Sequence, residues 1–364
     1  MKICICADIH VGVTGKLQDI MWSLRKIRHH CANNGIKTII IAGDLLHDRE
    51  QIRNEDLNVL VDFLIETDEK YGIEIISFPG NHDMYLKNSW NINSLRPLTR
   101  YLKSYHKVSV LKLGGVRFFI VPFIHYEDKY MDVIKKISDK HKEGDVILTH
   151  IGVKSAILNT CFLLKSWSVV DFSDCPFDRV YTGHFHVHQK VGDNVWYPGS
   201  PIPFKFDEGD EDHGFFIFDT DTRTHEFVSI WDDAKSFEGG KDIPPQFLTM
   251  TDEMIEGSGG LVDGNIVRIA FSGDYTHNQG VEVRKSLYKM GARDVRFMNI
   301  SSKEDKDGVA EAKEVAAKSE DLFKRFTAAD KDGMKDLNLK LLLSFNKEIM
   351  AEGDKRHVIE SDHF

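Results

Sequence analysis

Short apolar runs alternate with amphipathic helical patterns over roughly the first 235 residues of the chain. Runs rich in Val, Ile and Phe predict buried strands at residues 2–7, 38–42, 73–78, 116–122, 145–149, 179–182, 195–197 and 214–219. Helical spacing predicts one helix with Leu17, Ile20, Met21, Leu24 and Ile27, and a second with Leu57, Leu60, Phe63 and Leu64. The initial strand–helix–strand order predicts a parallel α/β core, and the later strands, with little helix between them, predict sheet packed on sheet.

The remainder of the chain divides into three segments. Gly239-Gly240 and Pro244-Pro245 mark residues 236–245 as a linker after a first domain of residues 1–235. Residues 246–300 have a strand–helix–strand pattern and predict a small α+β domain. Residues 301–364 contain 12 Lys/Arg and 15 Asp/Glu. This charged tail still predicts a last amphipathic helix with Met334, Leu337, Leu341, Phe345 and Ile349.

Composition and charge restrict the function. The 364 residues are 41% hydrophobic and 29% charged, as in ordinary globular proteins, and no apolar run approaches the ~18 residues of a membrane span. We expect a protein without membrane contact in a cytoplasm, and five cysteines without a CxxC pair fit a reducing compartment. The net charge of −10 argues against general electrostatic attraction to nucleic acid, although bound cations could reverse the local field.

Acidic, amide and imidazole side chains follow five of the predicted strands, where sites form in open α/β sheets. They are Asp8 and His10, Asp44, Asn81-His82-Asp83, His150, and His184 with His186. The members of each Asp-x-His or His-x-His pair should point the same way if their backbone is extended. Carboxylates and imidazoles together suit divalent ions such as manganese, iron or zinc. Asp44 has two oxygens and could bridge two ions, which would clamp a phosphate and activate a water.

His82 has no necessary ligand role in this arrangement. It is a candidate proton donor or substrate clamp, and we expect Asp83 to orient its ring.

These motifs, with Gly43 before Asp44, Gly80 before Asn81 and Gly183 before His184, resemble the signature of calcineurin-like metallophosphoesterases. The fold implied is a two-sheet sandwich flanked by helices. The resemblance implies one metal ion held by Asp8, His10, Asp44 and His186, and a second held by Asp44, Asn81, His150 and His184. It also implies that His82 is the catalytic histidine, with Asp83 as its partner.

Further residues resemble one branch of that family, the SbcD-type double-strand-break repair nucleases, which include a phage recombination endonuclease subunit. Gly43-Asp44-Leu45-Leu46-His47 is similar to a run in that branch, apart from Leu46 where an aromatic residue is common. The resemblance implies that His47 helps steer the DNA end. It also implies a capping domain at residues 246–300 and a helix around residues 337–349 that binds an SbcC-type coiled-coil ATPase. A homodimer is expected through helices bearing Leu57–Leu64 or Leu95, Leu98 and Leu102, although ordinary core burial would explain these leucines equally well.

The function implied is that of a DNA nuclease in double-strand-break repair and recombination. The expected activities are 3′-to-5′ exonuclease action on duplex ends and endonuclease action on single strands, favoured by manganese, with magnesium, iron and zinc left open. Two alternatives remain: a protein phosphatase or small-molecule phosphodiesterase on the same scaffold, and a non-catalytic scaffold that binds DNA ends.

Overall fold

The computed structural model describes residues 1–86, 89–157, 169–209, 211–237, 242–271 and 276–298. These residues form two compact units. The first contains residues 1–202 and 212–244, and the second contains residues 203–211 and residues from 245 onward. The predicted tail helix with Leu337 and Ile349 lies outside the described residues. In the described part of the chain, no helix is both long and apolar enough to cross a bilayer.

The first unit contains three α-helices and sixteen strands among the described residues. The helices are α1 (Leu17–Asn33), α2 (Asn54–Glu69) and α3 (Glu127–Ser138). The strands up to the third helix are β1 (Lys2–Cys6), β2 (Thr38–Ile41), β3 (Glu74–Ser77), β4 (Met84–Leu86), β5 (Ser89–Asn93), β6 (Lys103–Ser104), β7 (Ser109–Leu113) and β8 (Val116–Val121). The later strands are β9 (Val146–His150), β10 (Gly152–Val153), β11 (Val169–Val170), β12 (Arg179–Gly183), β13 (Gln189–Val191), β14 (Val195–Tyr197), β15 (Gly214–Asp219) and β16 (Thr224–Ser229).

Two six-stranded sheets dominate this unit. The order in the first sheet is β16-β15-β1-β2-β3-β6, and the order in the second is β13-β14-β12-β9-β8-β7. Strands β1, β2, β3 and β6 are parallel to one another, as are β8, β9, β12 and β14. Each sheet therefore brings the carboxyl ends of its parallel strands to one edge.

The two sheets pack face to face. One buried cluster contains Ile3 and Ile5 of β1 together with Phe118 of β8, Leu148 of β9 and Phe218 of β15. Alternate residues of the strands point away from this core, as the two-residue period of a strand requires. On the outer face of β1, Cys4 lies beside Cys31 of α1.

A helix layer covers the outer face of each sheet. Helices α1 and α2 cover the first sheet, since α1 contacts α2 and α2 contacts β3. Tyr130 and Ile134 of α3 pack with Ile147 of β9 on the outer face of the second sheet. The predicted two-sheet α/β sandwich flanked by helices is confirmed.

The second unit contains a three-stranded parallel sheet in the order β17-β18-β19. Its elements are β17 (Phe247–Thr251), α4 (Gly259–Val262), β18 (Ile266–Ala270), α5 (His277–Lys289) and β19 (Asp294–Met298). Thr276 begins α5 with a capping box, because its side chain accepts from the Gln279 backbone while the Gln279 side chain accepts from the Thr276 backbone. Phe206, from the separate segment 203–211, packs on Phe247.

Candidate metal centre

Loops at the carboxyl ends of β1, β2, β3, β9 and β12 carry the candidate ligands. Asp8 follows β1 and Asp44 follows β2, while His150 is the last residue of β9. Asp8, Asp44 and His150 are almost completely buried, at 0%, 2% and 0% exposure. Ligand atoms of these three residues lie within 4.8 Å of one another, so the ends of β1, β2 and β9 meet at one place.

The backbone of several of these residues is left-handed, so the expectation of an extended backbone through the Asp-x-His and His-x-His pairs was wrong. The φ angles are +55° at Asp8 and His10, +51° at Asp44 and +105° at His184. Such angles are uncommon for residues with a Cβ atom and persist only where neighbours hold them. Here the Asp8 N–H donates to the Gly43 carbonyl at 3.2 Å, and the His10 N–H to the Asp44 carbonyl at 3.0 Å. Turns, not extended strands, aim these side chains.

One group of ligand atoms is formed by Asp8, His10 and His186, whose donor atoms lie within 4.8 Å of one another. The Nε2 atoms of His10 and His186 face each other at 3.1 Å. The His10 Nε2 atom is 3.8 Å from Oδ2 of Asp44. These four residues are the set that the resemblance assigns to one ion.

A second group of ligand atoms also lies next to Asp44. The His150 Nε2 atom is 3.2 Å from Asp44 Oδ2 and 4.0 Å from Asp8 Oδ1. The Asn81 Oδ1 atom is 3.0 Å from His150 Nε2 and 2.8 Å from His184 Nδ1. Asp44 therefore touches both groups through the same carboxylate, as a bridging ligand must.

The donor set fits a pair of divalent cations. His150 Nδ1 lies 2.9 Å from the Ala42 carbonyl, and an N–H donated there leaves Nε2 as the nitrogen that can bind a metal. The ionic partners of the Asp44 carboxylate within the described residues are histidines, with no lysine or arginine. Buried carboxylates surrounded by imidazole nitrogens are typical of sites for manganese, iron or zinc.

Without a bound cation, burial and the neighbouring charges shift the pKa values of several of these residues. Burial raises the pKa of Asp8 to about 6, against the opposing effect of His150. Burial would lower the pKa of His150, but the carboxylates of Asp44 and Asp8 raise it to about 9. Burial together with the charge of His150 lowers the pKa of His184 to about 3. A cation among these groups would replace the proton on His150 and stabilise the charged form of Asp8.

His82 lies beside the first group. Its backbone N–H donates to Asp44 Oδ1 at 2.8 Å, and its Nδ1 atom is 2.6 Å from the His47 carbonyl oxygen. The rings of His82 and His47 are stacked with their centroids 5.3 Å apart. The His47 Nδ1 atom is also 3.3 Å from Nδ1 of His10. Both histidines singled out in the sequence therefore border the candidate centre.

Asp83 was expected to orient the ring of His82, but its carboxylate binds backbone groups instead. Its two carboxylate oxygens accept the backbone N–H groups of Leu46 at 3.0 Å and Gly80 at 2.9 Å, and its side chain is fully buried. Asp83 thereby joins the loop after β2 to the loop after β3. The ring of His82 is held instead by the His47 carbonyl oxygen, which accepts a hydrogen bond from it. The sequence could not predict this contact, because a backbone carbonyl is present in every residue.

Three glycines leave the space that the ligands occupy. A Cβ atom on Gly80 would overlap Asp44 Oδ1, and one on Gly183 would lie 2.7 Å from His150 Nδ1. A Cβ atom on Gly43 would overlap the same His150 atom. The glycines of the sequence motifs are thus required by close approach.

Gly183→Ala is expected to weaken metal binding about tenfold or more and to destabilise the fold by about 1–3 kcal/mol, because the methyl group must displace His150 or the Ala42 carbonyl. Thermal unfolding and manganese titration would measure both effects. Gly260→Ala is the matched control, since a Cβ atom on Gly260 would have no other atom within 4 Å. Equal manganese affinity in the two variants would contradict the steric argument.

Comparison with known proteins identifies the family. A sequence profile described as calcineurin-like phosphoesterase matches residues 1–188. This chain therefore belongs to the calcineurin-like phosphoesterase family, a class of hydrolases.

The individual proteins that resemble this chain have low sequence identity to it. Exonuclease subunit 1 of Enterobacteria phage T4 is 27% identical over 244 residues, which cover 63% of this chain and 67% of the relative. Putative phosphoesterase 244L of Invertebrate iridescent virus 6 is 26% identical over 202 residues, covering 52% and 67%. Among solved structures, GAP50, the anchor in the inner membrane complex of Plasmodium, aligns with a TM-score of 0.41 at 12% identity, covering 64% of this chain and 85% of that one.

Proposed function

We propose that this chain is a metal-dependent phosphodiesterase that cleaves DNA. The observation that carries the proposal is the convergence of two buried carboxylates, Asp8 and Asp44, with imidazoles from three further loops. The similarity to a phage protein named exonuclease subunit 1 favours DNA over other phosphate esters.

In the proposed mechanism, some of the chain's residues hold the cations, and others contact the phosphate or transfer a proton. Asp8, His10, Asp44 and His186 would hold one divalent cation. The second would be held by Asn81, His150 and His184 together with Asp44. Bound cations supply charge stabilisation at the phosphoryl oxygens and activation of a water.

His82 is placed to contact the phosphate or protonate the leaving oxygen. Its Nδ1–H group donates to the His47 carbonyl, which leaves Nε2 for the substrate. The backbone bond from His82 to Asp44 fixes this ring relative to a metal ligand. His47 stacks on His82 and would help steer the DNA end next to it.

The finer proposal is a nuclease subunit in double-strand-break repair and recombination. We propose manganese as the metal, 3′-to-5′ exonuclease action on duplex ends and endonuclease action on single strands. An SbcC-type coiled-coil ATPase would bind the helix around residues 337–349. A homodimer would form through surfaces other than Leu60, Leu64, Leu95, Leu98 and Leu102, since these side chains are buried in the chain's own core.

A substrate panel tests the proposal. With manganese, the full chain is expected to degrade an end-labelled DNA duplex and to lose this activity on chelation, because Asp8 and Asp44 need a cation to form the site. Matched reactions with nitrophenyl phosphate, the phosphodiester bis-nitrophenyl phosphate (the bis-nitrophenyl ester), a cyclic nucleotide and a phosphopeptide would measure competing activities. Hydrolysis of these without DNA cleavage would favour the phosphatase or small-molecule alternative. Failure to bind manganese would favour the non-catalytic scaffold.

A further inference from the structure

Acidic residues are absent from one long stretch of this acidic chain. Residues 84–126 contain seven Lys or Arg residues and no Asp or Glu. With 57 acidic residues in 364, a segment of this length would contain about seven on average. Because the whole chain has a net charge of −10, all of its excess negative charge lies outside this segment. The segment therefore has a formal net charge of +7, and it begins just after His82 and Asp83.

The fold places this segment along one side of the sandwich. Strand β6 is the last strand of the first sheet, and β7, which follows it in the chain, is the last strand of the second sheet. Arg96, Arg100 and Lys107 are exposed, and none has an ion-pair partner within the described ranges. Lys103 is exposed and approaches Glu74 at 3.6 Å, whereas Arg117 pairs with Asp145. Lys87 lies outside the described residues.

Strand β6 leads the segment to the edge of the sheet at which the metal ligands lie. Strand β6 is parallel to β3, with Ser104 beside Ser77. The Tyr105 N–H donates to the Ser77 carbonyl at 3.0 Å. Lys107 follows the carboxyl end of β6 just as Asn81 follows that of β3, and neighbouring strands are about 4.8 Å apart. Burial and the nearby charge of Arg96 lower the pKa of the His106 ring, so Arg96 lies near the same end.

Protection of sheet edges does not explain this pattern fully. Edge strands often carry lysines that prevent pairing with other chains, which would account for Lys103 and Lys112. Acidic side chains would protect an edge by the same repulsion, however, and the segment has none. Exclusion of negative charge over the whole segment instead suits a surface that meets a polyanion.

We propose that residues 89–126 form the surface along which duplex DNA lies as its end enters the metal centre, with Arg96, Arg100 and Lys107 contacting its phosphates. This inference rests on the proposed DNA substrate. The hairpin of β4 and β5 links the surface to His82 and exposes Tyr85, Leu86 and Ile92 at 49%, 45% and 55%. Exposed aromatic and apolar side chains at this position would contact the terminal bases of the duplex. The duplex end is the part of the substrate that a nuclease must hold at its metal centre.

Salt dependence of binding tests the surface directly. The full chain would be compared with the triple variant Arg96→Gln, Arg100→Gln and Lys107→Gln in fluorescence anisotropy with a DNA duplex at several salt concentrations. Loss of three phosphate contacts should weaken binding roughly tenfold or more at low salt and reduce the slope of log K against log salt by about 2 to 3.

A second triple variant has the same change of net charge elsewhere. Lys135→Gln, Lys136→Gln and Lys140→Gln alter exposed lysines at the end of α3 and just beyond it. This variant should keep the original salt slope, and melting temperature and manganese content should confirm that both variants are folded. Equal DNA affinity and slope in the two triple variants would overturn the proposed surface. If the unaltered chain hydrolyses a bis-nitrophenyl ester but neither binds nor cleaves DNA, the proposed DNA substrate itself is wrong.

Discussion

Replacing Asp44 with asparagine is expected to reduce hydrolysis of any phosphodiester substrate by about 10³-fold or more. Asp44 Oδ2 lies 3.8 Å from His10 Nε2 and 3.2 Å from His150 Nε2, so a single side chain serves both groups of ligands. Asparagine keeps the shape but removes the negative charge that would hold two cations together. Loss of the corresponding charge stabilisation costs several kcal/mol in the transition state, and each factor of ten in rate corresponds to about 1.4 kcal/mol.

Bound manganese per chain and kcat/KM on a bis-nitrophenyl ester are the measurements for this variant. Manganese content should fall together with activity, since both ions depend on the same carboxylate. Asp62→Asn is the control, because Asp62 is an exposed aspartate on α2, away from the strand ends. An Asp44→Asn protein that retains two ions and ordinary kcat/KM would refute the shared-ligand arrangement.

The position of the site could be predicted from the sequence because it depends on topology. Parallel strands predicted from Val- and Ile-rich runs end at one edge, and polar residues directly after them must then lie near one another. Asp8, Asp44 and His150 are close together for this reason. The helix over Leu17–Asn33 was predictable on similar grounds, because its apolar positions recur with the helical period.

The conformation of the ligand loops could not be predicted in this way. Asp8, His10 and Asp44 have positive φ angles, which are uncommon for any residue with a Cβ atom, and hydrogen bonds between separate loops hold Asp8 and His10 there. The role of Asp83 has the same origin. Its partners are N–H groups of Leu46 and Gly80, and every non-proline residue has such a group. Sequence patterns report side chains, whereas these contacts depend on backbone positions.

Short elements with weak patterns were also missed. The hairpin of β4 and β5 has exposed apolar residues and therefore lacks the alternation that marks a half-buried strand. Strand β17 follows a proline-containing segment and pairs with β18, which lies beyond α4 in the chain. Phe206 joins the second unit through Phe247, although the two residues are far apart in the sequence. Local periodicity has no information about such pairings.

Replacing His82 with alanine is expected to leave metal binding intact and to slow DNA cleavage by about 10²- to 10⁴-fold, the usual contribution of a general acid or base. Manganese content matters here because the ligand atoms of His82, His10 and His47 also lie within 4.8 Å of one another, as they would around an ion. A fall in manganese content would make His82 a ligand and contradict the proposed role. His277→Ala, which alters an exposed histidine of α5, is the control for loss of an imidazole.

Dependence on the leaving group separates proton donation by His82 from a contact with the phosphate. A nitrophenolate ion leaves without needing a proton, whereas the sugar oxygen of DNA must be protonated. If His82 donates that proton through Nε2, His82→Ala should impair DNA cleavage far more than hydrolysis of a bis-nitrophenyl ester. A similar loss on both substrates would instead indicate that His82 stabilises charge on the phosphate, which its bond to the His47 carbonyl would equally allow. Unchanged cleavage of both substrates would exclude His82 from the reaction, and the stacked ring of His47 would become the next histidine to test.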